Sequence, residues 1–167
     1  KKLLVFLEEN HFSNLKNRLL KNAPIKTIDN QKNYPKKVSY KNILTQEDLT
    51  NFIQEVHETG TLSIDTETDT LKAFDAKLVG ISLACKIGYA YYIPISHINN
   101  DAIKQLKLEL IISLLNPILS DKSIIKIGQN IKYDLIVLKK NGFGPVYPID
   151  DTMLMSYTLS AGLHNHN

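Results

Sequence analysis

Cysteine and arginine are scarce in this 167-residue chain, and tryptophan is absent. Because Cys85 is the only cysteine, the chain can form neither an internal disulfide nor a thiolate zinc cluster, which is typical of a reducing cytoplasm. No apolar run approaches the roughly 18 residues that a membrane-spanning helix needs, and the apolar start runs straight into Glu8 and Glu9. We therefore expect a cytoplasmic protein with neither a signal peptide nor a membrane partner.

The charge of the chain is modest, at a formal +3, and nearly all of the positive charge is lysine. This surplus permits a nucleic-acid partner without identifying one, since a high lysine content also follows from codon bias. With 43% hydrophobic and 22% charged residues, the chain has the composition of one globular domain, with or without an appendage. It does not begin with methionine, and we interpret the sequence as part of a longer protein.

Residues 1–37 differ in composition from the rest. Apolar positions over residues 3–20 predict one or two short helices, and residues 21–37 are rich in lysine and asparagine and contain Pro24 and Pro35. This second stretch is either a solvated connector or an arm that faces DNA. We predict an N-terminal connector over residues 1–37 and one folded domain over residues 38–167.

Strand and helix patterns alternate within residues 38–167. Thr45 is suited to cap a helix whose apolar stripe repeats every three or four positions and which Gly60 ends. Strands are predicted over residues 38–44, 61–66, 78–85, 89–95, 123–127 and 146–149. Helices are predicted over residues 45–58, 101–119, 130–140 and 151–159, with Pro117 ending or kinking the second. From residue 61 onward, a hairpin followed by alternating strands and helices predicts an α/β fold with a mixed five-stranded sheet flanked by helices.

Asp65 and Glu67 are the most informative pair, because an acid-x-acid pattern ends an apolar strand-like alternation. Alternate residues of a strand point to the same face, so the carboxylates project together, about 6 to 7 Å apart along the backbone. Like charges this close favour a cation, and oxygen ligands favour Mg²⁺ or Mn²⁺. Such pairs also occur by chance on surface strands, so a metal site and an ordinary acidic surface both stay open here.

A second polar group opens the helix predicted at residue 130. Asn130 is suited to cap that helix, and Asp134 lies one turn along on the same face. Taken alone, an acid at position 134 is explained by its favourable interaction with the positive end of the helix dipole. With Asp65 and Glu67, Asp134 forms a set of three acids at strand and helix ends, as a two-metal phosphoryl-transfer site requires. Asp151 is expected to cap the last predicted helix.

Five runs closely resemble the 3′-5′ exonuclease domain of bacterial DNA polymerase I, in the same order and spacing. They are residues 64–71, 78–82, 88–95, 128–134 and 151–154, and the resemblance covers about residues 38–164. It implies an RNase H-like fold and a polymerase domain in the same parent chain. It also implies proofreading, in which a water activated by one of two Mg²⁺ or Mn²⁺ ions releases nucleoside 5′-monophosphates from a single-stranded or frayed 3′ end of DNA.

The resemblance assigns roles to individual residues. In the family that this chain resembles, the position of Asp65 is a carboxylate shared by both metal ions. The position of Glu67 is a ligand of the first ion, and the position of Asp134 is the acid that holds the second ion. The positions implied to contact the nucleic acid are Thr68, Leu71, Gln129, Asn130 and Lys132. Among these, Leu71 is similar to an apolar wedge beside the terminal base.

The third motif of that family, a tyrosine followed four residues later by a fourth carboxylate, lies downstream of the matching runs. Tyr157 is followed at that spacing by Ala161, which is not an acid, so this pair does not replace the third motif. The domain is therefore expected to be incomplete at its C-terminus, with weak metal binding and little cleavage by this chain alone. Two other functions stay open: a non-catalytic spacer or strand-binding platform, and a ribonuclease of the same superfamily. The three retained acids argue against the first, and the runs over residues 88–95 and 128–130 argue against the second.

Overall fold

The computed structural model describes residues 2–10, 12, 16, 38–98 and 104–160. The elements follow in the order α1 (Lys2–Glu9), β1 (Ser39–Asn42), α2 (Gln46–Thr59), β2 (Thr61–Thr68), β3 (Leu78–Ala84), β4 (Tyr89–Pro94), α3 (Leu108–Leu119), β5 (Ile125–Gly128), α4 (Lys132–Lys140), β6 (Ile149–Asp151) and α5 (Thr152–Ser160). None of the described helices is both long and apolar enough to cross a membrane.

The chain divides into two compact units. One unit is Pro35–Thr152 and contains the whole sheet; the other combines Lys1–Tyr34 with Met153–Asn167. In the latter, α1 confirms a helix within the predicted range 3–20, whereas the predicted basic linker lies outside the described residues. The division into a connector over 1–37 and a domain over 38–167 stays a prediction.

The sheet is mixed, with the strand order β1-β4-β3-β2-β5-β6. Strand β3 pairs antiparallel with both β2 and β4, and the pairs β2–β5, β5–β6 and β1–β4 are parallel. The α/β class and the mixed sheet are therefore confirmed. The predicted count of five strands is wrong, because β1 pairs with β4 over residues 39–42 and adds a sixth strand at one edge.

Helix α2 shows how local sequence produces local structure. The Thr45 hydroxyl accepts a hydrogen bond from the backbone N–H of Asp48 at 3.1 Å, which satisfies one free donor of the first turn. Gly60 ends the helix with a left-handed φ of 66°, which glycine adopts without a steric penalty. Between these residues, Leu49, Phe52 and Val56 turn to the core and are at most 1% exposed.

Helix α3 begins at Leu108, later than the predicted residue 101. The side chain of Gln105 makes two hydrogen bonds with the backbone of His97, which hold residue 105 outside the helix. Pro117 lies inside the helix, which ends two residues later at Leu119. Residues 101–103 of the prediction lie outside the described residues.

Lys126 is fully buried within β5, and its pKa is lowered by that burial. Its Nζ donates to the carbonyl oxygens of Ile118, Asp121 and Ile124, at 3.2, 2.7 and 2.6 Å. An ammonium group has three N–H donors, so this set of carbonyls uses all of them. The lysine thereby ties the end of α3 and the following loop to β5.

Candidate functional site

A groove of about 440 Å³ lies where β2 ends and α4 begins. It is lined by Asp65, Thr66, Glu67, Thr68, Leu71, Gln129, Asn130, Tyr133 and Asp134. Seven of the eight predicted site residues are therefore brought together. Lys132 does not line the groove; it is exposed as the first residue of α4. The location of these residues is now known, and their roles stay predictions.

The groove exists because β2 and β5 diverge. Strand β5 pairs with β2 only over Thr61–Ser63, whereas β3 accompanies β2 as far as Thr68. Beyond Ser63, the backbone N–H of Thr66 donates to Asp134 Oδ1 at 2.8 Å. The Thr66 hydroxyl donates to the same oxygen at 2.6 Å. The Asp134 carboxylate thus occupies the place that a neighbouring strand would take and fixes α4 against β2.

Asp134 is only 3% exposed, yet it is held by polar groups and lines the groove. Burial raises the pKa of its carboxyl group, the two hydrogen bonds from Thr66 lower it, and the negative charge of Glu67 raises it; the net pKa is above the ordinary value. The sequence pattern did not reveal Thr66, because its side chain points to the face opposite Asp65 and Glu67 and reads as an ordinary strand residue.

Asp65 and Glu67 lie opposite Ser82 and Gly80 of β3. The Ser82 hydroxyl donates to Glu67 Oε1 at 3.4 Å. Asp65 is solvent-exposed as a residue. The pKa of its carboxyl group is nevertheless raised, mainly by partial desolvation and to a smaller extent by the negative charges of Asp134 and Glu67. The three acids are therefore close enough to repel one another electrostatically.

Tyr92 is a neighbour of Glu67 that sequence reasoning missed. Its ring lies over Gly80, so closely that a Cβ built on Gly80 would be 2.0 Å from the phenol oxygen. The Tyr92 hydroxyl is 2.8 Å from His97 Nε2. Burial and then the charge of Glu67 raise the pKa of Tyr92. A glycine directly across from Glu67 was the one available signal, since glycine within a strand often marks close approach of another group.

Tyr133 fixes the loop that follows β2. Its hydroxyl donates to the carbonyl oxygen of Thr70 at 2.6 Å and lies 2.6 Å from Thr68 Oγ1. The register of β2 and β3 shifts between Glu67 and Thr68, which is the kind of bulge that redirects a side chain. Next along the loop, Leu71 is 95% exposed. An apolar side chain is therefore displayed to solvent from a backbone that hydrogen bonds hold in place.

The predicted cap of α4 is wrong, whereas the predicted cap of α5 by Asp151 stays a prediction. Asn130 does not cap α4: the N-cap residue is Ile131, which makes no side-chain cap hydrogen bond, and Asn130 has a left-handed φ of 53°. Asp151 supplies the cap of α4, since its Oδ1 and Oδ2 accept hydrogen bonds from the backbone N–H groups of Asn130 and Ile131, each at 3.0 Å. The register that pairs Gly128 with Asp151 delivers this carboxylate to the helix start.

The acids fit a divalent cation in chemistry but do not complete a ligand set. Asp65, Glu67 and Asp134 supply only oxygen ligands, which suit Mg²⁺ or Mn²⁺. The pKa of Asp65 is raised first by burial and then by the negative charges of Asp134 and Glu67, and a cation would neutralise that second contribution. In the described ranges, no three Asp, Glu, His or Cys side chains form a group arranged to hold a metal ion. The three acids therefore match a divalent cation in donor chemistry, and their role as ligands stays a prediction.

Comparison with known proteins is consistent with this geometry. A profile of the family described as 3′-5′ exonuclease matches residues 40–167. The chain is 38% identical to DNA polymerase I of Borreliella burgdorferi over 135 residues, 81% of this chain and 14% of that protein. It is 31% identical to DNA polymerase I of Pseudomonas aeruginosa over 170 residues, 99% of this chain and 18% of that protein. The chain thus spans less than a fifth of each relative.

Solved structures share the fold. Escherichia coli RNase D, an exoribonuclease involved in structured RNA processing, superposes with a TM-score of 0.58 at 21% identity, over 75% of this chain and 30% of that one. Brucella melitensis NrnC with bound Mg²⁺ gives a TM-score of 0.53 at 22% identity, over 78% of this chain and 57% of that one. These similarities confirm the RNase H-like fold.

Proposed function

Since the chain belongs to the 3′-5′ exonuclease family and is of the DNA polymerase I type, we propose that it removes terminal nucleotides from the 3′ end of DNA in a metal-dependent reaction. The observation that carries this proposal is the convergence of Asp65, Glu67 and Asp134 in one groove with an exposed Leu71. DNA is proposed rather than RNA because the relatives above 30% identity are DNA polymerases. The RNA-processing neighbour is only 21% identical and supports the fold alone.

The three acids would hold two Mg²⁺ or Mn²⁺ ions, which activate water and stabilise the departing 3′ oxygen. Thr66 fixes the orientation of Asp134 through its two hydrogen bonds. Ser82 steadies Glu67. Because the ions would supply both water activation and charge stabilisation, no histidine or serine nucleophile is required, and neither residue type is among the described residues that line the groove.

The strand end would be held by the remaining groove residues. Leu71 offers an apolar surface against a terminal base, and Gln129 and Asn130 offer amide groups to the sugar-phosphate backbone or base edges. Thr68 and Lys132 flank this surface. In the parent protein, the domain would act on ends released by a polymerase domain of the same chain, as a proofreading activity in the cytoplasm.

The test is release of nucleotide from 3′-labelled single-stranded DNA, with and without Mg²⁺ or Mn²⁺, using this chain and a longer chain that includes its downstream segment. We expect divalent-dependent release of nucleoside 5′-monophosphate by the longer chain and little release by this one. Asp134→Asn should abolish the reaction, and the exposed Lys122→Gln should not affect it. Absence of divalent-dependent cleavage from the longer chain would refute the proposal. Equal rates for the two chains would refute the expectation that this chain is impaired.

A matching RNA substrate tests the choice of nucleic acid. If the longer chain degrades single-stranded RNA faster than DNA of the same sequence, the ribonuclease alternative replaces the proposal. Direct titration with Mn²⁺, followed by electron paramagnetic resonance, tests the metal site separately from turnover. Asp65→Asn should weaken Mn²⁺ binding in either chain.

A further inference from the structure

The turn Gly128–Ile131, here called the groove turn, is held from outside by the end of β6. The Asp151 carboxylate accepts the N–H groups of Asn130 and Ile131 through separate oxygens, both at 3.0 Å. Asn130 has a φ of 53°, a conformation that is unfavourable for residues with a Cβ and that asparagine tolerates better than most. A local cap does not hold this conformation, because Ile131 provides no side-chain cap.

Thr152 adds a second contact to the groove turn. Its hydroxyl lies 3.1 Å from the carbonyl oxygen of Gly128 and also contacts the side-chain amide of Gln129. A hydroxyl has one proton to donate. That proton is shared between two acceptors, the carbonyl oxygen of Gly128 and the side-chain oxygen Oε1 of Gln129. Asp151 and Thr152 therefore act on the two residues of the turn that line the groove.

The cap from Asp151 has a consequence for Asn130. An asparagine that caps its own helix directs its side-chain oxygen to the backbone of that helix. Here the capping role belongs to a residue 21 positions away, and the Asn130 side chain is exposed at the groove. The amide group is thereby left available to contact a ligand.

We propose that Asp151 is a positioning residue for strand binding: its carboxylate holds the groove turn in the left-handed conformation that presents Asn130 to a single-stranded 3′ end. This inference rests on the proposed function for the identity of the ligand, and on the two hydrogen bonds for the mechanism. Asp151 acts through Asn130 and does not itself line the groove.

The test is a double-mutant cycle between Asp151→Ala and Asn130→Gly, measured on this chain with fluorescein-labelled oligothymidylate in EDTA, where cleavage cannot occur. Asp151→Ala should weaken binding about tenfold in the wild-type background and less than about twofold in the Asn130→Gly background, since only coupled residues depart from additivity. The loss of stability, measured by the urea midpoint, should be similar in both backgrounds. A purely structural role for Asp151 would reduce affinity equally in both, and that result would overturn the proposal.

Asp121→Ala is the matched control. Asp121 also accepts a backbone N–H, from Ser123 at 2.8 Å, but does not line the groove. It should lower stability without changing affinity. A second readout does not depend on DNA: amide hydrogen exchange at Asn130 and Ile131 should accelerate in Asp151→Ala and not in Asp121→Ala. If the wild-type chain fails to bind oligothymidylate in EDTA and also in Ca²⁺, the proposed ligand is wrong. Unchanged exchange at both amides would refute the positioning role itself.

Discussion

Replacement of Thr66 by valine isolates the contact that joins β2 to α4. Valine keeps the shape of the side chain and the backbone N–H bond at 2.8 Å, but it removes the hydroxyl that donates to Asp134 Oδ1 at 2.6 Å. Thr66 is 7% exposed and Asp134 is 3% exposed, so water cannot readily replace the lost donor. The carboxylate of Asp134 would then lack one of its two hydrogen bonds from Thr66.

The expected loss of unfolding free energy is about 1.5–3 kcal/mol, the usual contribution of a hydrogen bond to a charged group. For a chain of this size about 3 °C in Tm corresponds to 1 kcal/mol, so the Tm should fall by about 5–9 °C. The loss should depend on pH. The hydrogen bond from the Thr66 hydroxyl lowers the pKa of Asp134. Its contribution to the unfolding free energy is therefore present above the pKa of Asp134 in the folded state and diminishes as the pH falls through that pKa.

Urea unfolding of wild type, Thr66→Val and Thr66→Ser at neutral and at acidic pH provides the assay. The Thr66→Ser variant keeps the hydroxyl, so its unfolding free energy at neutral pH should fall much less than that of Thr66→Val. The difference between the valine and serine variants should narrow in acid. If valine and serine are equally stable at neutral pH, or if their difference grows in acid, the hydrogen bond to the ionised carboxylate does not fix Asp134.

Three further substitutions test other contacts. Gly80→Ala would place a Cβ 2.0 Å from the Tyr92 hydroxyl and push the ring away, at an expected cost of about 1–3 kcal/mol in urea unfolding, whereas Gly144→Ala, with its nearest atom at 3.6 Å, should cost far less. Lys126→Met leaves three carbonyls without their donor and should cost about 1–3 kcal/mol; unchanged stability would show that these bonds contribute nothing net. Leu71→Ala should change unfolding free energy by less than about 0.5 kcal/mol because Leu71 is 95% exposed, yet it should raise KM for single-stranded 3′ ends in the longer chain.

Features that depend on neighbouring residues were predicted well. Thr45 caps α2, Gly60 ends it, and the stripe between them is buried, because each effect acts within one or two helical turns. The hairpin of β3 and β4 likewise follows from a short turn between two apolar runs. Strand β1 was recognised as a strand but not as a sheet member. Its four residues are all exposed, so no alternation of burial indicates which strand it joins.

Features that depend on distant residues were missed. Asn130 has the residue type and position of an N-cap, but parallel pairing of β5 and β6 brings the Asp151 carboxylate to the same N–H groups. Thr66 contacts a residue 68 positions away, which no local pattern encodes. The three acids were singled out as a set, because carboxylates at strand and helix ends of one predicted sheet match a two-metal site, although each acid alone has an ordinary explanation. Their supporting groups are ordinary threonine, serine and tyrosine residues.

Strand β1 has a consequence for the behaviour of the purified chain. Its only sheet neighbour in the described ranges is β4, so the other side of Ser39–Asn42 presents backbone donors and acceptors that an extended segment of another molecule can pair with. Lys41 is the charged residue that should discourage such pairing, but its ammonium group lies 2.8 Å from Asp48, which offsets the repulsion. Self-association at high protein concentration should therefore begin at this outer strand, and an added lysine there should suppress it.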